Sequence, residues 1–226
     1  MQPSEFLTIV APVVVSVRVD GGVLFPSVSL AQTILETGWT IPSWNNLVGY
    51  KVGSGRMTEY WHGRSVNKAT REVTDDLGEI DVQANFRAYD SIEDSLKDQV
   101  LLFLGNRARY GRVIEAATPR EQAEALQASG YATDPAYAAK LTSIIRSYNL
   151  ERYDKEAEKI MEALEELRKQ VAELQALVLE TEPPAWAQAT VTKLVERKLL
   201  SDPRGDRSFF RTLVVLDRAG AFDRKE

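Results

Sequence analysis

The segment from Pro26 to Gly38 (PSVSLAQTILETG) constrains this chain more than any other. Pro is tolerated at the first turn of a helix and Gly is favoured just past its end. The pair therefore brackets a helix predicted over Val28–Glu36, with Ser27 as its N-cap and Gly38 as its stop. Val28, Leu30, Ala31, Ile34 and Leu35 make that helix strongly apolar, so other elements must cover it. Phe6 to Val17 (FLTIVAPVVVSV) reads as a second buried helix. Glu5 rather than Lys or Arg precedes it, no Ala-x-Ala site follows, and the run is too short to span a bilayer. The expectation is therefore no export signal and no membrane span.

Helical patterning returns over Ser91–Leu104, Arg109–Ala117, Pro119–Ser129 and Pro135–Tyr148. Between these zones the character changes. Glu59-Tyr60-Trp61, Thr70 to Thr74, Ile80 to Val82 and Asn85 to Tyr89 read as short strands broken by Gly63 and Gly78. The fold class is α+β, a mostly helical domain over 1–153 with a small β insertion. With 44% apolar and 27% charged residues among 226, the chain can bury a sizeable core.

Tyr153, Ala157, Ile160, Leu164, Leu167, Val171, Leu174 and Val178 then alternate at spacings of four and three. Val171 and Val178 fall at a, Leu167 and Leu174 at d, the pattern of a parallel two-stranded coiled coil. This predicts a coiled-coil helix over 154–182 and a homo-oligomer, a parallel dimer, through residues 153–178. Pro183-Pro184 ends the helix. Residues 183–226 read as a small helical module, with helices near Trp186–Leu200 and Ser208–Ala219, serving oligomerisation or attachment to a substrate.

Composition removes several chemistries. With no Cys there is no thiol nucleophile, disulfide or Cys-ligated metal, and the single His62 cannot build a multi-His zinc site. No cofactor or metal is expected. A net charge of −5 argues against nucleic acid as partner. Sugars remain open, since stacking and hydrogen bonds read them. Cleaving a glycosidic bond needs one carboxylic acid to protonate the leaving oxygen and a second group to stabilise the cation or activate water. The acid must hold its proton near neutral pH, which apolar surroundings promote. Glu36, ending an apolar helix before Gly38-Trp39, has those surroundings.

Pro26 to Trp39 resembles the signature of glycoside hydrolase family 73, the N-acetylglucosaminidases of the flagellar-rod peptidoglycan hydrolase and autolysin group. Three further segments agree in order: Asn45-Asn-Leu-Val-Gly-Tyr-Lys51, Phe86-Arg-Ala-Tyr-Asp-Ser91 with Ser95-x-x-Asp98, and Gly130-Tyr-Ala-Thr-Asp-Pro-Ala-Tyr-Ala138. The resemblance implies a lysozyme-like fold and Glu36 as general acid. It also implies a second carboxylate in a Thr-x-Glu strand, matched by Thr70-Arg71-Glu72, with Glu59 as the competing choice. Tyr131 is implied to contact the reacting sugar. Trp39, Asn46, Gly49, Tyr50 and Tyr137 are candidate substrate-binding residues, and Trp44 a further stacking candidate. Thr133 and Asp134 are read as capping the helix that opens at Pro135.

The family's Gly-Trp-Gly is Gly38-Trp39-Thr40 here, and Val48 and Tyr50 replace its Phe and Ile. The implied activity is cleavage of the β-1,4 bond between N-acetylglucosamine and N-acetylmuramic acid in bacterial peptidoglycan glycan strands. The expected setting is a phage endolysin or virion-associated lysin, held in the host cytoplasm until lysis or carried by the particle. The competing reading is a wall-binding or phage-particle assembly protein that keeps the fold with weak catalysis.

Overall fold

The computed structural model describes residues 1–74, 78–178 and 182–223, with side chains described outside 70–82 and 176–181. They form two compact units, Met1–Met161 and Glu162–Glu226.

In the first unit, α1 (Pro3–Val19) and α2 (Pro26–Thr37) are the two apolar helices expected. Every residue of α2 from Pro26 to Ile34 is buried, because α1 packs on one side and α5 (Pro119–Ala128) and α6 (Tyr137–Ser147) on others. The α1–α2 turn closes on Gly22, whose N–H donates to the Val17 carbonyl at 2.8 Å. A β-carbon there would stand 2.6 Å from that same oxygen, so only Gly fits. Gly38 ends α2 in the left-handed region at φ 57°, in keeping with its place in the sequence.

The start of α2 differs from expectation. Ser27 lies inside the first turn, after an N-cap at Phe25, and its N–H donates at 2.7 Å to Asp154 Oδ1. The capping oxygen comes from α7 (Glu151–Val178), 127 residues downstream, which no local pattern reveals. Likewise α6 opens at Tyr137 rather than Pro135. Asp134 Oδ1 accepts from Ala136 N–H at 2.8 Å and so closes a turn before the helix.

The β insertion is one hairpin rather than several short strands. β1 (Ser65–Thr74) pairs antiparallel with β2 (Gly78–Arg87) from Ser65↔Arg87 to Thr74↔Gly78. Glu59-Tyr60-Trp61 forms no strand, because the Thr58 hydroxyl accepts the N–H groups of Tyr60 and Trp61, turning the chain there. α3 (Ile92–Gly105) follows with a capping box between Ser91 and Asp94, and α4 (Arg107–Ile114) leads into α5.

The base of the hairpin is tied down by a buried ion pair. Arg87 Nη1 donates to Asp98 Oδ2 at 2.7 Å, and Tyr89 O–H and Thr58 O–H donate to the same carboxylate. Tyr50 and Trp61 both lie against the guanidinium, their ring centroids 4.1 and 4.3 Å from it. Several partners for each charged group offset the cost of burying them.

α7 leaves the first unit near Met161. Ala157 is buried against that unit, and Tyr153 packs on its core. Ile160, Leu164, Leu167, Val171 and Leu174 are exposed. The second unit holds the rest of α7 and, after it, α8 (Gln188–Glu196) and α9 (Arg207–Arg218), which pack around Ala187, Val191, Phe210 and Val214. No helix among the described residues is long and apolar enough to cross a membrane.

Asp154→Ala removes the remote cap of α2 and is expected to cost about 1–2 kcal/mol in chemical denaturation. Asp154→Asn keeps the acceptor oxygen and is expected to cost less than half of that. Equal losses in the two variants would show that the hydrogen bond to Ser27 is not what matters.

Candidate active site

Glu36 stands on the last turn of α2, so its backbone is fixed by the most enclosed helix of the fold while its side chain reaches the surface. The carboxyl opens onto a groove with two arms. One arm, about 590 Å³, is lined by Gly49, Tyr50, Arg109, Tyr110, Tyr131 and Tyr137 among others. The second, about 520 Å³, is lined by Ile41, Pro42, Trp44, Asn46, Lys68 and Ala69 among others. Glu36, Gly49 and Phe86 belong to both, so a chain-like substrate crossing from arm to arm must pass the Glu36 carboxyl.

The groove walls raise the Glu36 pKa by desolvation. Although the side chain is open to the groove, protein on several sides replaces bulk water that would otherwise solvate the anion. Its place at a helix C-terminus works in the same direction, because the dipole there disfavours negative charge. Among the described residues no cation pairs with it. Gly49 completes the setting: at φ 64° it bears no β-carbon, and one there would stand 3.2 Å from Glu36 Oε2.

Tyr131 and Tyr137 face Glu36 across the first arm, their ring centroids 6.1 Å apart. Burial raises both phenol pKa values, and the neighbouring Glu36 adds to the effect. Both therefore stay neutral phenols. Gln99 Nε2 donates to the Tyr131 oxygen at 2.8 Å, and Gln32 Nε2 donates to the Tyr137 oxygen at 2.9 Å. Arg109 secures the approach to Tyr131 by donating to the Ser129 and Gly130 carbonyls at 2.8 and 2.5 Å.

Asn46 acts by building the wall. Its amide donates to the Tyr50 and Arg87 carbonyls, both at 2.9 Å, and its Oδ1 accepts the Tyr50 N–H at 3.0 Å. That closes the 46–50 loop and sets it against the hairpin. Trp39 is not brought to the groove. Its ring packs edge-on against Phe6 and Tyr148, at 5.6 and 4.5 Å, so it serves the core. Trp44 is the indole that reaches the groove, with Lys68 Nζ 4.7 Å from its ring.

The backbone of Glu72 lies in β1 opposite Ile80, and its side chain lies outside the described residues. Glu59 is exposed in the turn after Thr58 and lines neither arm. His62 is exposed and pairs with Asp90 at 3.4 Å. Thr133 and Asp134 border the first arm.

Sequence reasoning missed Gln32, Gln99, Arg109 and Lys68. Gln32 left a signal, since its spacing of four from Glu36 puts both on one face of α2. Gln99, on α3, left none.

The first unit is, in class, a lysozyme-like domain. Two solved structures share its fold. The catalytic domain of the autolysin Auto from Listeria monocytogenes matches at 29% identity and TM-score 0.55, covering 68% of this chain and 89% of that one. The glycoside hydrolase domain of Salmonella typhimurium FlgJ matches at 31% identity and TM-score 0.51, covering 75% of this chain and 99% of that one. Exo-glucosaminidase LytG of Bacillus subtilis is 37% identical over 139 residues, which is 58% of this chain and 46% of LytG. The chain thus spans less than half the length of that relative. Residues 20–150 match the glucosaminidase family, described as mannosyl-glycoprotein endo-beta-N-acetylglucosaminidase. The chain belongs to that family, glycoside hydrolase family 73.

Because Glu36 favours its proton more when folded than when unfolded, it weakens the folded state wherever it is ionised. That penalty is absent below the ordinary carboxylate range, grows as pH rises through it and is complete above the raised folded pKa. Glu36→Gln should therefore melt with the parent at pH 3 and above it at pH 8. A variant less stable than the parent at pH 8 would contradict the desolvation.

Proposed function

We propose that this protein hydrolyses the glycan strands of bacterial peptidoglycan, at the β-1,4 bond between N-acetylglucosamine and N-acetylmuramic acid. The observation that carries this reading is the Glu36 carboxyl, placed where the two arms meet with its pKa raised by desolvation. Glu36 donates its proton to the glycosidic oxygen as the bond breaks. Tyr131 and Tyr137 supply neutral hydrogen-bond donors beside it, and Trp44 offers a face on which a pyranose can stack. Family membership supports the substrate class, as do relatives named exo-glucosaminidase and peptidoglycan hydrolase.

Glu72 is the proposed second carboxylate. The support is that β1, which carries it, also brings Lys68 and Ala69 to the second arm beside Glu36. Glu36→Gln is expected to lower release of soluble fragments from purified sacculi by at least about 10²-fold. Mass spectrometry of the parent's digest should show reducing-end N-acetylglucosamine. Reducing-end N-acetylmuramic acid would reassign the bond, and a fully active Glu36→Gln would remove the acid.

The exposed seam from Ile160 to Leu174 supports a second proposal, that α7 pairs with α7 of another copy. Apolar residues on an a/d stripe lose hydration when paired, and Val at a with Leu at d suits two parallel strands. Light scattering of the full chain should give a dimer mass, and Leu167→Asp with Leu174→Asp a monomer mass. A parent that is monomeric at tens of micromolar would exclude the pairing.

A further inference from the structure

Two glutamines with no assigned role join the two phenols of the groove. Gln32 on α2 and Gln99 on α3 are 1% and 3% exposed, and helix positions so deep rarely hold an amide without a purpose. Gln99 Nε2 donates to the Tyr131 oxygen at 2.8 Å and reaches Gln32 Oε1 at 3.4 Å, and Gln32 Nε2 donates to the Tyr137 oxygen at 2.9 Å. The chain of hydrogen bonds has a direction. It starts at Gln99, runs outward to Tyr131, and through Gln32 to Tyr137.

A phenol carries one proton and two acceptor sites. Since an amide N–H fills the inner acceptor site of each tyrosine, neither hydroxyl proton can point inward. Each is left to point toward the groove that both tyrosines line with Glu36. We propose that Gln99 and Gln32 are positioning residues that set Tyr131 and Tyr137 as outward hydrogen-bond donors to the substrate and to the Glu36 carboxylate once its proton has left. The inference rests on Glu36 as the acid. In this arrangement the phenols do not compete for the Glu36 proton in the resting site, because they are neutral. They stabilise the anion that proton donation creates, and so favour the transition state over the ground state.

One isosteric change should reverse the whole network. In Gln99→Glu the new carboxylate, when ionised, can only accept, so Tyr131 turns its O–H inward to it. Gln32 must then present its N–H to that carboxylate and its oxygen to Tyr137, which also turns inward. When protonated, the new carboxyl still has a donor for Tyr131 and preserves the outward arrangement. The titratable and charged groups around position 99 are Tyr131, Tyr137, Tyr110 and Glu36 on the groove side, and Arg18 of α1, which shares a small cavity with Gln99. Of these and the new carboxyl, only the latter and Glu36 change charge across the acid range.

The test compares full-length parent, Gln99→Glu, Gln99→Met and Glu36→Gln on purified sacculi from pH 4 to 8, reading saturating rates, half-saturating wall concentration and thermal midpoints. The expected result is that Gln99→Glu nears parental rate at the acid end and falls to about a tenth of it at the neutral end, the loss of roughly one charge-assisted hydrogen bond. Half-saturation should move little. Gln99→Met, which leaves the hydroxyls free to turn, should keep a ratio to the parent that is constant with pH. A Gln99→Glu rate that tracks the parent at every pH, or falls only in step with its thermal midpoint, overturns the positioning role. An active Glu36→Gln overturns the acid assignment itself, and the two failures are read from different variants.

Discussion

Desolvation of one carboxyl, Glu36, is the constraint around which the groove is built. The Glu36 side chain is reachable, yet the groove walls take away the solvent that would stabilise its anion. α2 sets this geometry. It is buried along nearly its whole length, so its C-terminal end cannot drift, and Gly38 stops it where the carboxyl meets both arms of the groove. The constraint passes to Gly49, where any side chain would press on Oε2.

Much of the remaining polar structure acts on that site from a distance. Asp154 caps the far end of α2 from the helix that leaves the domain. Arg87 and Asp98 fix the hairpin, Tyr50 lies against the guanidinium, and Asn46 binds the carbonyls of both Tyr50 and Arg87. The Arg87–Asp98 pair is buried and its carboxylate takes three donors, which suits positioning, since a site held within a fraction of an ångström needs supports that cannot rearrange. The exposed seam of α7 is of a different kind. Its apolar side chains lie open to solvent, whereas Ala157 one turn earlier packs on the first unit.

What the sequence reveals follows from how local each determinant is. Pro26, Gly38 and the apolar run between them sit within one helix, so α2 and the position of Glu36 are legible. Ser91 and Asp94 cap α3 from three residues apart, a spacing that is equally local. Ser27 imitates a cap in sequence, but the capping oxygen arrives from Asp154. Glu59-Tyr60-Trp61 has strand-forming residues, but the Thr58 hydroxyl captures two of its N–H groups. Trp39 stands three residues after Glu36 and suggests a sugar platform, while its ring is taken up by Phe6 and Tyr148. Gln99 reads as an ordinary polar helix position, because its meaning lies in Tyr131, 32 residues away.

Desolvation by the groove walls raises the Glu36 pKa above the ordinary carboxylate value. A carbon-13 NMR titration of the full chain, with the Glu36 side-chain resonance assigned by its loss in Glu36→Gln, measures that directly. The expected midpoint lies clearly above about 4.3, the ordinary value for glutamate. A midpoint at or below that value would mean that the groove favours the anion, and Glu36 would then be suited to stabilising a cation rather than to giving up a proton.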